Sequence, residues 1–289
     1  MQHGSQEGQT STVAKIFWVA SYPKSGNTWM RAFLANMLLA KDRPLSLNEI
    51  GKACASEANV KWFEPLLADN ESDIYALSSR RIMQLRPRAQ KRITEVNAND
   101  IFIKTHNIHG KYAGFPLIRK DVTLGSVYIV RDPRDVVISA ADHWGMSIEK
   151  MLDAMVSPGF GTGNHDGLVF EVMSTWSDHV ASWAGIKAKN HLTVRYEDLL
   201  QDPIRHFGKL AAGIGLSQDP ARIRQVVEWT SFKQLRQMEE AEGFAERSTY
   251  SERFFRSGQS GNWRKTLTSA QVARIEREHG KVMRKLGYL

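Results

Sequence analysis

The sequence contains one cysteine and no long apolar run. Cys54 alone cannot form an intramolecular disulfide or a cysteine-based metal site, which is typical of proteins in a reducing cytoplasm. The apolar runs are far shorter than the roughly 20 residues that span a bilayer, so stable membrane insertion is not expected. Residues 1–12 lack the apolar core of a secretion signal and are interpreted as a flexible polar tail. These absences predict a soluble, cytoplasmic protein.

Two kinds of site motif are missing as well. There is no His-x-x-x-His helix and no carboxylate cluster with metal-ligand spacing, so no metal is expected. The loop G-x-x-x-x-G-K-[ST] is absent, which disfavours ATP hydrolysis. Cys54, in "GKACASEA", is interpreted as a small apolar residue on a helix rather than a nucleophile.

Positive charge is in excess, with a formal net charge of +8 and a pI near 9.5. This balance indicates an anionic partner, which could be a nucleic acid, a membrane surface or a small phosphorylated ligand. The basic residues are spread along the chain, apart from a cluster at 79–92 that is interpreted as a solvated helix face. A continuous basic face with stacking aromatics is not apparent, so a nucleic-acid partner is not expected.

Short apolar runs that end in polar loops recur along the chain, and each is followed by a helical pattern. This recurrence predicts an α/β fold, with a central and mostly parallel β-sheet flanked by helices in a single domain over 13–289. The predicted strands are 15–20, 100–105, 126–131 and 190–195. The predicted helices are 28–40, 46–56, 73–85, 133–144, 169–188, 203–213, 219–229, 231–241 and 268–286. A ligand site is expected at the carboxyl ends of the strands.

The first candidate site segment is "SYPKSGNT" at 21–28, between a predicted strand and a predicted helix. Unpaired backbone N–H groups at a helix N-terminus bind anions such as phosphate. Lys24 adds a positive charge, and Gly26 permits close approach of the backbone. A plain helix cap with an exposed lysine is an equally good interpretation of this loop alone.

Two further segments place polar residues at strand ends. In "FIKTHN", Lys104 and His106 are two residues apart and so point to the same side, and histidine accepts protons near neutral pH. In "YIVRDPRDVVIS", Arg131 closes a strand and Ser139 lies on the following helix, where the pair could clamp a phosphate. A strand–turn–helix with surface charges is the alternative interpretation.

Taken in order, these segments resemble the sulfotransferases that use 3′-phosphoadenosine 5′-phosphosulfate, PAPS. "YPKSGNTW" is similar to the family's 5′-phosphosulfate loop, "KTH" to the segment with its catalytic histidine, and "RDPRDVVIS" to its 3′-phosphate-binding strand and helix. "WSDHVASW", "VRYEDLLQDP", "TSFKQL" and "FRSGQSGNWRKTLT" resemble further family segments in the same order. The resemblance extends from residue 18 to about 270, and it implies the P-loop-NTPase-like fold of that family.

The resemblance implies a site for PAPS, or for its product 3′-phosphoadenosine 5′-phosphate (PAP), residue by residue. The positions around the 5′-phosphosulfate and the adenine are Lys24, Ser25, Gly26, Asn27, Thr28 and Trp29. The 3′-phosphate clamp is matched by Arg131, Ser139, Arg256, Ser257 and Gly258. The contacts to the adenosine are matched by Tyr196, Thr230 and Phe232.

The same resemblance implies transfer of the sulfuryl group to a hydroxyl of a small-molecule acceptor, without a metal. His106 is the implied general base, and Lys24 neutralises charge on the leaving oxygen. Lys104 holds oxygens of the transferring group, and Ser139 restrains Lys24 until the acceptor arrives. The alternatives are a P-loop-type small-molecule kinase and a sulfotransferase-like protein that binds nucleotide without catalysis.

The sequence departs from the family pattern at the nucleotide clamp and at the dimer segment. Asn27 stands where many relatives have threonine, Ser257 replaces a lysine, and Asn262 replaces an aspartate. These changes predict weaker nucleotide binding or altered loop closure. Ser269 and Ala273 stand where a valine and a glutamate are expected, so a homodimer is compatible with the family but its mode is left open.

The acceptor wall is expected from three stretches between the nucleotide motifs, 41–99, 145–170 and 240–256. Two irregular segments within or beside them, 157–167 and 243–263, are interpreted as lids. About one in three of the available aromatic residues is expected to touch the acceptor, since most aromatics are core. These aromatic residues are Trp62, Phe63, Phe115, Trp144, Phe160, Phe170, Phe244, Tyr250 and Phe254.

Overall fold

The computed structural model describes residues 13–289, and the predicted tail at 1–12 lies outside them. A five-stranded sheet has the order β2-β3-β1-β6-β7, and every neighbouring pair in it is parallel. Its strands are β1 (Ile16–Ser21), β2 (Cys54–Ser56), β3 (Ile101–Thr105), β6 (Thr123–Val130) and β7 (His191–Arg195). A separate antiparallel hairpin joins β4 (Lys111–Tyr112) to β5 (Phe115–Pro116). The four predicted strands and the parallel sheet are confirmed.

Alternation along β1 explains why the sheet is covered on both faces. Ile16, Trp18 and Ala20 pack into one apolar core, and Phe17 and Val19 pack into another. Successive side chains of a strand point to opposite faces, so a strand that is apolar at every position must be buried on both sides. The sheet therefore needs a layer of helices on each face.

Eleven α-helices are found in residues 13–289. The first two are α1 (Asn27–Leu39) and α2 (Ser79–Glu95), and the others follow in chain order: α3 (Pro133–His143), α4 (Ile148–Met155), α5 (Trp176–Ala184), α6 (Tyr196–Gln201), α7 (Pro203–Gly213), α8 (Pro220–Trp229), α9 (Phe232–Glu242), α10 (Trp263–Thr266) and α11 (Ser269–Lys285). Short 3-10 helices occupy Leu47–Lys52, Val60–Trp62, Glu64–Leu66 and Ile74–Ala76. None of the helices described is long and apolar enough to cross a bilayer.

The predicted helix at 46–56 is wrong beyond its first turns. A 3-10 helix ends at Lys52, and Cys54 lies on the edge strand β2, paired with Phe102 of β3. Small residues such as those of "ACAS" have no strand periodicity, and this strand forms because β3 offers an open edge. Burial raises the pKa of the Cys54 thiol to about 11, which suits an apolar packing role.

Two other helix predictions need correction. The helix predicted at 73–85 begins at Ser79 and continues past Pro87 to Glu95, and only α5 forms within the predicted 169–188. The basic face of α2 is not wholly solvated, because Arg86 is fully buried and pairs with Glu57. A buried pair of this kind depends on a partner distant in sequence, so local pattern does not reveal it.

Candidate functional site

A cavity of about 1090 Å³ opens at the carboxyl ends of the central strands. It lies at the end of β1, which has β3 on one side and β6 on the other. The order of the strands along the chain changes direction at this point of the sheet. Parallel sheets bind ligands at such a switch point. The wall includes most of the predicted nucleotide and catalytic residues, namely Lys24, Gly26, Asn27, Thr28, Trp29, Lys104, His106, Arg131, Ser139, Tyr196, Phe232, Arg256, Ser257 and Gly258.

The loop between β1 and α1 has an unusual backbone conformation at two residues. Lys24 has φ 63° and Gly26 has φ 101°, both in the left-handed region. A Cβ on residue 26 would lie 2.7 Å from Cδ2 of Tyr196, so glycine is required there. Asn27 fixes the loop to the strand by donating from Nδ2 to the carbonyl oxygen of Val19 (3.1 Å). Asparagine therefore has a structural role at the position where relatives have threonine.

Several buried polar atoms around this loop lack a protein partner. They are Oγ of Ser25, Oδ1 of Asn27, Nε1 of Trp29 and Nε of Arg131. A buried donor without a partner is costly, so their concentration beside one loop indicates a polar ligand. Oxygen-rich phosphate and sulfate groups would satisfy the indole and guanidinium donors, whose residues line the cavity. The residues present thus fit a nucleotide bisphosphate.

Arg131 connects the loop between β1 and α1 to the loop that contains Gln259. Its Nη1 donates to the carbonyl oxygen of Lys24, and its Nη2 donates to that of Gln259, each at 3.1 Å. The guanidinium also lies 4.6 Å from the centre of the Tyr196 ring. With two backbone bonds and a stacked face, the guanidinium is held in one orientation, and its Nε remains unpaired beside the cavity.

His106 is held so that one ring nitrogen faces the cavity. Its Nδ1 lies 2.8 Å from the carbonyl oxygen of Ser21, which can only accept, so Nδ1 carries the proton. Nε2 of the neutral ring is then the unprotonated nitrogen, and it has no hydrogen-bond partner in residues 13–289. Burial and the adjacent charge of Lys104 lower the pKa of His106 well below its usual range. The ring is therefore uncharged at neutral pH, and its Nε2 can accept a proton.

Glu171 supports both catalytic candidates on β3, a role that the sequence analysis missed. Its Oε1 accepts the backbone N–H of His106 at 2.7 Å, and its Oε2 lies 4.0 Å from Nζ of Lys104. Glu171 is only 2 % exposed. The position fell within a predicted helix, so no sequence signal associated it with His106, 65 residues away along the chain.

Lys24 lies over an aromatic ring of the segment predicted as a lid. Its Nζ is 4.0 Å from the centre of the Phe254 ring. Burial lowers the pKa of Lys24 to about 8, although the carboxylate of Asp142 raises it. A lysine poised near neutral pH gains charge stabilisation when an anion arrives, which suits a group that meets developing negative charge.

The two departures from the family pattern in the terminal loop contact each other. Nδ2 of Asn262 donates to Oγ of Ser257 at 2.9 Å. The loop is anchored nearby, because Oδ2 and Oδ1 of Asp135 accept the backbone N–H groups of Gly261 and Trp263 (2.6 and 3.0 Å). A neutral hydrogen-bonded pair thus occupies positions where a lysine and an aspartate were expected.

The remaining predicted site residues differ in their surroundings. Arg256 pairs with Asp142 at 3.1 Å, and its side chain is 46 % exposed. Ser139 and Phe232 line the cavity, whereas Thr230 is buried away from it and donates its hydroxyl proton to the carbonyl oxygen of Val226 (2.7 Å). Ser25 lies beneath the loop rather than on the cavity wall.

A methyl group at Gly258 should impair nucleotide binding. Gly258 has φ 60°, and a Cβ there would lie 2.2 Å from the Phe232 ring. Overpacking of this kind costs about 1–3 kcal/mol and would displace the Phe232 ring from the cavity wall, so Gly258→Ala should weaken PAP binding by roughly 10- to 100-fold in calorimetric titration. Gly114→Ala is the matched control, with φ 89° and no atom within 4 Å. Equal PAP affinity of the two variants would contradict this prediction.

On the acceptor side, three of the nine candidate aromatic residues line the cavity. They are Trp144, Tyr250 and Phe254. The other six do not line it and pack in or against the apolar core, as with Phe63, which is fully buried. Polar residues of both predicted lid segments, including Thr162 and Glu246, also line the cavity.

Comparison with known proteins identifies one family. A family model described as sulfotransferase domain matches residues 15–287. Sulfotransferase 1A1 of Rattus norvegicus is 24 % identical over 282 residues, covering 92 % of this chain and 83 % of the relative. Flavonol 3-sulfotransferase of Flaveria bidentis is 22 % identical over 272 residues, covering 90 % and 79 %.

Solved structures agree on the fold. A mouse sulfotransferase complexed with PAP has a TM-score of 0.62 at 20 % identity, covering 94 % of this chain and 84 % of its own. Retinol dehydratase in a complex with retinol and PAP has a TM-score of 0.63 at 20 % identity, covering 94 % and 82 %. The predicted α/β fold is therefore shared with these proteins.

Proposed function

This chain belongs to the sulfotransferase domain family, which confirms the prediction of a sulfotransferase enzyme, and we propose that it uses PAPS to sulfate a hydroxyl of a small molecule. The single observation that carries the proposal is one cavity that contains the phosphate loop, a cation clamp and an unprotonated histidine. PAP in the related structures supports the same donor.

The donor would be held by the loop after β1 and by the Arg131 bridge. Amides of residues 25–29 and the hydroxyl group of Thr28 would bind the 5′-phosphosulfate, with Ser25 contributing its backbone N–H. Arg131, Ser139, Arg256, Ser257 and Gly258 would surround the 3′-phosphate, with Arg256 leaving or sharing Asp142. Trp29, Tyr196 and Phe232 would face the adenosine, and Thr230 would support that wall from beneath.

In the reaction, Nε2 of His106 would accept the proton of the acceptor hydroxyl. PAPS supplies the sulfuryl group, so a bond forms from the acceptor oxygen to sulfur as the bond from sulfur to the bridging phosphate oxygen breaks. Lys24 would neutralise charge on that leaving oxygen, and Lys104 would hold the peripheral oxygens. Ser139 would restrain Lys24 before the acceptor enters. Lysine and arginine side chains supply the positive charge, so the proposal requires no metal.

Transfer of a labelled group tests this proposal against the kinase alternative. The protein is incubated with pooled phenols, sterols and sugars, either with sulfur-labelled PAPS in EDTA or with ATP labelled in its terminal phosphate in the presence of Mg²⁺, which a kinase would need. We expect label in an acceptor from PAPS and none from ATP. Label from ATP would support the kinase, and PAP binding with no transfer would support the non-catalytic alternative.

The contact between Asn262 and Ser257 should compensate for the missing charged pair. Asn262→Ala removes one neutral hydrogen bond, so the Kd for PAP should rise by about 2- to 10-fold. The double variant Ser257→Lys, Asn262→Asp places opposite charges at the same two positions and should retain wild-type affinity. Calorimetric titration checks both. Unchanged affinity in Asn262→Ala would show that the pair has no part in loop closure.

We also propose a cytoplasmic location and a homodimer. One of the relatives is named cytosolic sulfotransferase 17, of Arabidopsis thaliana, and the lone buried cysteine suits a reducing compartment. The dimer would have to form without the expected valine and glutamate at Ser269 and Ala273.

A further inference from the structure

The acceptor side of the cavity contains a second histidine that the reaction leaves unused. His143 lies at the end of α3, four residues after Ser139, and lines the same cavity as His106 and Lys104. In residues 13–289 the ring nitrogens of His143 have no hydrogen-bond partner. Neither nitrogen is fully buried. The two nitrogens are therefore available to a molecule in the cavity.

The surroundings keep this ring neutral. Burial, together with the ammonium groups of Lys24 and Lys104, lowers the pKa of His143 to about 4. A neutral imidazole offers one N–H donor and one acceptor nitrogen. An acceptor that displaces water from these nitrogens must replace the lost hydrogen bonds, because polar groups buried without partners are destabilising.

One aromatic ring lies beside His143, and a second packs against the backbone two residues further along the chain. The centre of the Trp144 ring is 5.4 Å from that of His143, with the planes at 66°. Tyr250 lies against Gly145, where an added Cβ would be 2.8 Å from the Tyr250 ring. This subsite thus combines aromatic surfaces with one hydrogen-bonding edge, and it shares the cavity and the neighbouring charge of Lys104 with His106.

We propose that His143 determines acceptor specificity by hydrogen-bonding a second hydroxyl, so that the preferred acceptors have two neighbouring hydroxyl groups on a ring. The inference rests on the proposed function, since His106 must act on the first hydroxyl. His143 binds the second one in this arrangement and orients the first towards Nε2 of His106. An acceptor with a single hydroxyl would occupy the space beside His143 and leave the nitrogens of that ring without hydrogen-bond partners.

Matched acceptor pairs test this inference. Catechol is compared with phenol, and trans-1,2-cyclohexanediol with cyclohexanol, first by calorimetric titration of the PAP-loaded protein and then by kcat/KM with PAPS. In the wild type the diol should bind about 3- to 10-fold more tightly than its partner. His143→Phe should reduce the preference to the statistical advantage of two equivalent hydroxyls, while affinity for the single-hydroxyl compounds is kept or increased.

His109→Phe is the matched control, because His109 is also half-buried beside a tryptophan, Trp183, but does not line the cavity. It should keep the wild-type preference for diols. Equal binding of both members of each pair to the wild type, or an unchanged preference in His143→Phe, would overturn the inference alone. Failure of PAP to bind any of the proteins would overturn the proposed function instead.

Discussion

His106→Gln should reduce turnover by about 10²- to 10⁴-fold, the usual contribution of a general base. Glutamine preserves a donor towards the carbonyl oxygen of Ser21 but offers no nitrogen that can take a proton. The Kd for PAP should change little, because Nε2 of His106 is proposed to contact the acceptor and not the nucleotide. The measurement is kcat with sulfur-labelled PAPS and a saturating acceptor, together with calorimetric titration of PAP.

His109→Gln is the control for this loss. His109 follows His106 by three residues and packs edge-on against Trp183, away from the cavity wall. Its substitution should leave kcat near that of the wild type. If His106→Gln retained wild-type turnover, another group would have to take the proton and the assignment of the base would fail.

The second large effect is expected at Lys24, whose pKa of about 8 predicts a particular pH profile. The ammonium is charged below that pKa and neutral above it, so kcat/KM for PAPS should fall as pH rises past about 8. The fall should be weaker in kcat, since a bound anionic donor stabilises the charged form. Lys24→Met should lose about 10²- to 10³-fold in kcat at neutral pH.

Lys24→Arg separates charge from proton affinity. Arginine keeps its charge at every accessible pH, so the alkaline fall in kcat/KM should disappear even if the activity at neutral pH is reduced. Persistence of the same alkaline fall in Lys24→Arg would mean that another group titrates, and the role of Lys24 in neutralising the leaving oxygen would lose its main support.

Sequence periodicity was sufficient for the parts of the fold that depend on local pattern. The run "KIFWVA" is apolar at nearly every position because β1 is central and buried on both faces, so its strand was predictable within one residue. The loop at 21–28 between a strand and a helix was predictable too, since the apolar run before it and the helical pattern after it are both local in sequence.

Features that depend on distant partners were not predictable in this way. Cys54 lies on a strand because β3 offers an edge, and Glu57 is buried among partners distant in sequence, Arg86 and Gln90 of α2. In the sequence, nothing distinguished His143 from an ordinary residue at the end of a helix. Its place in the site follows from the tertiary fold, because α3 begins at the carboxyl end of β6 and brings His143 to the cavity that His106 also lines.

We propose that this cavity is a bisphosphate nucleotide site that needs no metal. Calorimetric titration with PAP, beside ATP and in the presence of EDTA, tests it most directly. We predict tight binding of PAP and little binding of ATP, with PAP affinity lowered in Gly258→Ala and kept in Gly114→Ala. Absence of PAP binding, or equal binding of ATP, would contradict the assignment of the site.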